Sequence, residues 1–198
     1  SICQKVYESK YVKKIFCIPG NGGTYKIANN IEIKFNDFDK IKSFLITEKI
    51  DLTIVGPEEP LVNGIVDYLN KNGLKVFGPD KFCSRLEGSK IFTKKICKKY
   101  KIPTAKFEIH SNKEMAYNFF KDCKFPIVVK ADGLAAGKGV YICEKESQAK
   151  NAVDEIFGGK FGLSKEVLIE EFLKGEEMSF FIISDGASFK EFGTAQDH

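Results

Sequence analysis

The chain has 198 residues, of which 43% are hydrophobic and 29% charged, and its net charge is +4. That length allows one large domain or two small ones, and this much apolar material argues against disorder. No run of about 18 apolar residues offers a membrane span, no opening stretch reads as a secretion signal, and the mild positive charge is no nucleic-acid signature.

Residues 2–10 read as a helix with Ile2, Val6 and Tyr7 on one face. Residues 12–18 (VKKIFCI) read as a strand that stops at the Gly-rich turn PGNGGT, residues 19–24. Asp37 caps a helix whose apolar face is Phe38, Ile41, Phe44 and Leu45. Residues 52–55 form a short buried strand ending at Gly56-Pro57-Glu58-Glu59. Pro60 fits the first turn of the next helix, which runs to about Asn72 and stops at Gly73. Residues 74–77 are another buried strand, ending at Gly78-Pro79-Asp80. Near-continuous apolar strands alternating with helices predict a parallel sheet with helices on its faces. In such sheets ligands bind at the carboxyl ends of the strands, here PGNGGT, GPEEP and GPD. A helix-first start leaves the sheet short of a strand, so the expectation is of a piece cut from a longer protein.

The texture changes after Asp80. Residues 89–100 are a helix rich in lysine, closed by Ile102-Pro103. Ser111 and Glu114 form a capping box opening a helix that carries Met115, Tyr117, Phe119 and Phe120. Residues 126–130 (PIVVK) are a strand, followed by a Gly/Ala loop and the strand 140–143. Residues 148–157 are a helix, and 167–172, 178–184 and 188–192 are strands. This second unit is α+β and more antiparallel.

Several chemistries are poorly supported. Arg85 is the single arginine, and base readout and bidentate phosphate clamping favour that residue, so DNA reading is disfavoured. The six cysteines form no C-x-x-C pair, and His110 and His198 are the two histidines, which excludes common zinc-finger spacings. Reduced cytosolic thiols are the expectation, with Cys17, Cys123 and Cys143 acting as small buried hydrophobes. No G-x-S-x-G announces a serine hydrolase.

Three segments carry chemistry. In Lys130-Ala-Asp-Gly-Leu-Ala-Ala-Gly-Lys-Gly139 the glycines let backbone N–H groups approach phosphate oxygens, and the lysines supply charge. It is no Walker A loop, because Lys138 is followed by Gly139 and both flanks are strands. An ordinary hairpin loop is the competing reading, though a plain hairpin needs neither lysine. In residues 167–177 (VLIEEFLKGEE) an apolar strand ends in paired carboxylates, then Phe172 and Leu173. Backbone groups at a strand's end can pair with an adenine edge, the apolar side chains can sandwich the ring, and Glu177 can return across Gly175 to ribose hydroxyls. A charged hairpin is the alternative. In Leu86-Glu87-Gly88-Ser89-Lys90 the lysine sits in a helix's first turn, where the macrodipole disfavours a cation unless an anion binds; a solvated lysine is the default.

Together KADGLAAGKGV, IEEFLKGEE, LEGSK and DLTIVGPEEPLVNGIVDYL, with IPGNGGT and the terminal QDH, resemble the glycinamide ribonucleotide synthetases, ATP-grasp ligases. The resemblance covers almost the whole chain. It implies a Rossmann-like parallel-sheet α/β domain over residues 1–88, then part of an α+β ATP-grasp domain over 89–198 with a mobile lobe at about 107–171. It implies a cytoplasmic enzyme of purine biosynthesis that uses ATP and Mg²⁺ to join glycine to 5-phosphoribosylamine through glycyl phosphate, with no nucleic acid or membrane partner. Phosphoryl transfer of this kind depends on positioning and charge neutralisation, so no protein nucleophile is needed.

Residue by residue, the resemblance implies that Lys90 and Lys130 contact ATP phosphates, and that Gly133, Leu134, Gly137, Lys138 and Gly139 belong to a flap over the triphosphate. Lys130 and Lys138 are its candidate catalytic residues. The Glu170 side chain meets the adenine amino group, the backbones of Glu171 and Leu173 meet the ring edge beside Phe172, and Glu177 binds ribose. Gly22, Gly23 and Glu58 face the phosphoribosylamine side, and Asp197 lies near the substrates. The family's opening strand and glycine turn are absent. Its metal-binding carboxylate and asparagine and its C-terminal domain are expected beyond residue 198, so no metal ligand is assigned and these residues alone are expected to be inactive. The alternatives are another ATP-grasp carboxylate–amine ligase or carboxylase, or a nucleotide-binding module without turnover.

Overall fold

The computed structural model describes residues 2–134, 138–162 and 164–196. Helix α1 (Ile2–Tyr7) leads to β1 (Phe16–Cys17), which pairs in parallel with β2 (Asn29–Asn30). The strand expected over residues 12–18 is confined to two residues, and β2 is built of asparagines, which are poor strand formers and give no sequence signal. Helix α2 (Phe38–Thr47) starts where expected, with the Asp37 carboxylate accepting from the Lys40 N–H at 3.2 Å. Strand β3 (Thr53–Ile54) comes next. The single helix expected from Pro60 to about Asn72 is two, α3 (Glu58–Asn63) and α4 (Ile65–Lys71), because Gly64 between them takes φ +93°. Strand β4 (Val76–Phe77) then pairs in parallel with β3. Ile41 and Leu45 of α2 pack with Ile65, Val66 and Leu69 of α4 into a first core, against which Ile18, Val55 and Val76 lie.

Helix α5 (Arg85–Gly88) precedes α6 (Lys90–Tyr100), whose N-cap Ser89 accepts from the Phe92 N–H at 3.0 Å. Then come β5 (Phe107–His110), α7 (Lys113–Phe120), β6 (Ile127–Ala131), β7 (Val140–Cys143), α8 (Glu146–Phe157) and β8 (Val167–Glu171). The four strands make one sheet in the order β5-β8-β6-β7, antiparallel throughout. Helix α7 corrects the expected capping box: Asn112, not Ser111, is the N-cap and accepts from the Met115 N–H at 2.9 Å. Asparagine caps as well as serine does, so the start moves one residue along.

Alternation along the strands decides what each sheet face carries. Ile127, Val129, Ala131, Cys143, Val167 and Ile169 turn toward α7 and α8 and form a second core with Phe120, Val153 and Ile156. The intervening residues Val128, Lys130, Leu168 and Glu170 therefore share the other face. A hairpin, β9 (Met178–Ser184) and β10 (Phe189–Gln196), follows with a bulge between Glu191 and Gly193. All six cysteines are free; Cys143 is buried, whereas Cys17 and Cys123 are half-buried. No helix among the described residues is long and apolar enough to cross a membrane.

Candidate functional site

The face of the sheet opposite α7 and α8 gathers the charged residues. Val128 lies directly across from Glu170 in the β6–β8 register, so Lys130, two residues on, is its diagonal neighbour on the same face. The Lys130 ammonium donates to Glu170 Oε2 at 2.6 Å. Glu170 is 5% exposed, which makes an uncompensated carboxylate there costly. A second cation, Lys94 of α6, approaches Oε1 at 3.0 Å. That approach is electrostatic: Oε1 has no aligned hydrogen-bond donor among the described residues. The buried oxygen thus keeps the capacity to accept from a ligand N–H.

Helix α6 is held against the loop after β6 by one carboxylate. Asp132 accepts from the Ser89 hydroxyl at 2.9 Å and from the Ile91 N–H at 3.1 Å. A helix's first N–H groups have no partner within the helix, and its positive end favours an anion, so Asp132 satisfies both. This latch carries the loop's start to α6, where the Lys90 ammonium donates to the Gly133 carbonyl at 3.0 Å. Of the residues expected around the phosphates, Lys90 is thus brought to Gly133, while Lys130 is engaged by Glu170.

At the end of β8, Glu171 is turned outward. Its N–H donates to the Lys106 carbonyl at 3.0 Å, and its carboxylate accepts from the Lys106 N–H at 2.8 Å. The Glu171 N–H is thus taken, which leaves its carbonyl for a base edge; the Leu173 backbone, also expected there, follows the end of β8. Phe172 is half-buried; Leu173 and Glu177 are exposed. Leu134 and Lys138 are exposed and Gly139 is buried, its carbonyl accepting from the Ala131 N–H at 2.8 Å. By register, Val140 and Ile142 of β7 share the face of Lys130 and Glu170, and both are exposed. Gly137 and Asp197 lie outside the described residues.

Gly22, Gly23 and Glu58 belong to the other part of the chain. Gly22 and Gly23 sit in an exposed turn after β1, organised by Thr24, whose hydroxyl donates to Asn30 Oδ1 at 2.8 Å. Glu58 opens α3 and is exposed. A hollow of about 450 Å³ lies beside this turn, lined by Pro19, Glu32, Ile33, Lys34, Phe35 and Asn36. Another of about 270 Å³ lies between β7 and α8. Neither is lined by Lys90, Lys130 or Glu170, so the hollows are no guide to the charged face.

The sequence reasoning missed Lys94, Asp132 and Ser89. Lys94 stands four residues after Lys90 on one helix, a spacing that puts both on one face. Asp132 is inside the KADG motif. Both signals were present, but their partners lie too far along the chain to be read.

A nucleotide suits this face: a positively charged cluster for phosphates, a buried carboxylate oxygen open to an N–H donor, and flanking apolar side chains. Among the described residues no group of three His, Cys, Asp or Glu side chains could hold a metal ion.

Comparison with known proteins gives concordant results. Residues 1–87 match the family model for the phosphoribosylglycinamide synthetase N domain, and residues 88–198 match that for the phosphoribosylglycinamide synthetase ATP-grasp (A) domain. The phosphoribosylamine–glycine ligase of Caldanaerobacter subterraneus is 44% identical over 200 residues, covering 100% of this chain and 48% of that protein. The ligase of the same name from Mesorhizobium japonicum is 44% identical over 199 residues, covering 100% and 47%. The chain spans about half the length of the curated relatives it matches. Among solved structures, phosphoribosylamine–glycine ligase from Thermotoga maritima superposes with a TM-score of 0.75 at 29% identity, covering 96% of this chain and 45% of the other. The biotin carboxylase domain of Hydrogenobacter thermophilus 2-oxoglutarate carboxylase, solved with MgADP, ADP and bicarbonate, gives 0.77 at 19% identity over 98% and 48%, a likeness of fold.

Proposed function

The chain belongs to the phosphoribosylglycinamide synthetase family, and from that premise we propose that the protein joins glycine to 5-phosphoribosylamine at the expense of ATP, releasing ADP and phosphate, in cytoplasmic purine biosynthesis. The observation that carries this reading is identity of 44% to phosphoribosylamine–glycine ligases over the whole chain. The charged face supports it independently of names.

In this reading ATP supplies the phosphoryl group that activates glycine's carboxylate. The chain's own residues bind and orient. Lys90, Lys130 and Lys138 bring positive charge to phosphate oxygens, where preorganised cations lower the barrier to transferring an anionic group. Gly133 and Gly139 allow close backbone approach. Glu170 Oε1 accepts from the base's amino group. The Glu171 carbonyl and Leu173 backbone meet the ring edge, with Phe172, Leu173 and Leu134 against its faces, and Glu177 takes ribose. Gly22, Gly23 and Glu58 serve the phosphoribosylamine side, with Asp197 near the substrates and Gly137 in the flap. The proposal divides the chain at about Gly88 and gives residues 107–171 the part of a lobe that closes on nucleotide. Mg²⁺ is expected to be held by residues outside this set.

The test is ADP release by the full-length protein with glycine and 5-phosphoribosylamine together and with each omitted. Release that requires both supports the reading. Release that requires a different acid or amine would establish another ATP-grasp ligase, and ATP binding without release would establish a non-catalytic nucleotide module.

A further inference from the structure

We propose that Lys94 is a positioning residue that sets the charge of the nucleotide site without touching the nucleotide, an inference that rests on the reading of this face as an ATP site. The side chain of Lys94 is 12% exposed and is held at both sides. Its ammonium donates to Thr104 Oγ1 at 2.5 Å and lies 3.0 Å from Glu170 Oε1. It also stands over the Phe107 ring, 5.7 Å from the centroid. It is thereby tied down away from solvent, whereas Lys130, on the other side of the same carboxylate, is 25% exposed.

The charge balance of this trio explains what Lys94 does. Lys130 and Glu170 alone would form a neutral buried pair, and a neutral pair exerts little pull on an incoming phosphate. Lys94 neutralises Glu170 from behind, so two ammonium groups share one carboxylate. Among the described residues neither lysine has a second carboxylate within 4 Å. One positive charge is left uncompensated around a carboxylate that is itself buried, and holding net charge out of water is costly. A phosphate anion offsets that cost on arrival. Without Lys94 the Lys130 ammonium is already satisfied by Glu170, and the attraction is lost although every group expected to touch the nucleotide is still present.

The experiment measures binding of ATP and of adenosine to the full-length protein and to Lys94→Met and Lys94→Arg variants by calorimetry, with thermal unfolding as a folding control. For Lys94→Met the ATP Kd is expected to rise about tenfold or more, on the scale of one charge-assisted contact, while the adenosine Kd stays within about threefold. Lys94→Arg, which keeps the charge, is expected to hold ATP within about threefold. An unchanged ATP Kd in folded Lys94→Met, or equal losses for ATP and adenosine, would overturn the proposal in favour of a merely structural lysine. If Lys94→Met does not fold, Lys94→Arg decides: a tenfold loss of ATP there overturns it. Failure of the parent protein to bind ATP at all would instead overturn the nucleotide-site reading.

Discussion

Two side chains show how surroundings set behaviour at the scale of single residues. Lys130 ends a buried strand and reaches Glu170 at 2.6 Å, yet Glu170 keeps a second cation in Lys94. Removing Lys130 therefore does not strand a bare buried carboxylate, and a Lys130→Ala protein is expected to fold. The same substitution is expected to raise the ATP Kd at least tenfold, since contacts to charged groups contribute roughly 1.5–3 kcal/mol. Calorimetry on the full-length variant checks this, and an unchanged Kd would remove Lys130 from the site. His110 is the second case. It is 8% exposed, lies tilted against Phe119 with ring centroids 5.2 Å apart, and neither ring nitrogen has a partner among the described residues. Burial pushes its pKa down, with the Glu108 charge pulling weakly the other way. The folded chain thus holds the neutral ring, and the unfolded chain takes up the proton first. His110's contribution is full above the unfolded pKa of about 6.5 and declines as pH falls below it, by at most about 1.4 kcal/mol per pH unit. Thermal unfolding at pH 7.5 and 5.5 should show a larger acid loss for the parent than for His110→Phe; equal losses would show that His110 does not titrate with folding.

Glycine placement governs how elements meet. Gly88 ends α5 in the LEGSK segment, and a Cβ there would stand 2.3 Å from Val62 Cγ1 of α3. Valine is stiff at χ1 and cannot easily swing aside. Gly88→Ala is therefore expected to cost about 1–3 kcal/mol through overpacking. Adding Val62→Ala should restore much of the loss, because the two sites share one contact. Denaturation of the two single variants and the double variant tests this; additive losses would deny the contact. The LEGSK glycine thus has a packing role beside the lysine that follows it. At the same scale three helix starts were legible to within a residue: Asp37 caps α2 as expected, Ser89, read as the first residue of its helix, is the N-cap of α6, and the cap of α7 is Asn112 rather than Ser111. Strand ends were not. Residues 12–18 and 52–55 each keep only a two-residue ladder, because pairing depends on a neighbour supplied from elsewhere in the chain.

For the whole molecule, the distribution of apolar surface is uneven. The four-stranded sheet buries one face under α7 and α8, whereas the β9–β10 hairpin leaves Phe180, Phe181, Ile182, Phe189 and Phe192 exposed, Phe192 by 72%. Phe180 and Ile182 lie on one face of the hairpin and Phe181 on the other, and exposed apolar side chains in such number favour association or dye binding. A polypeptide of these 198 residues is expected to bind a hydrophobic dye and to associate as its concentration rises. Replacing Phe181 and Phe189 by lysine should reduce both. Sedimentation and dye fluorescence provide the check, and unchanged behaviour in the variant would move the sticky surface elsewhere.

The sequence by itself determined what depends on near neighbours. It carried the α/β then antiparallel order, the glycine-rich loop between two strands, the Asp37 cap, and motifs specific enough to identify a family. The choice of Lys90, Lys130 and Glu170 as candidates also came from motifs. Only the tertiary structure decided which of them meet. Ser89 and Asp132 are 43 positions apart and Lys130 and Glu170 are 40 apart. Lys94, on α6, meets Glu170 across the sheet face without belonging to any motif the sequence offered. Periodicity reports which residues share a face of one strand or helix. It says nothing of which strand lies alongside, and the β8–β6 register, which brings Lys130 beside Glu170, is a property of two distant segments folded together.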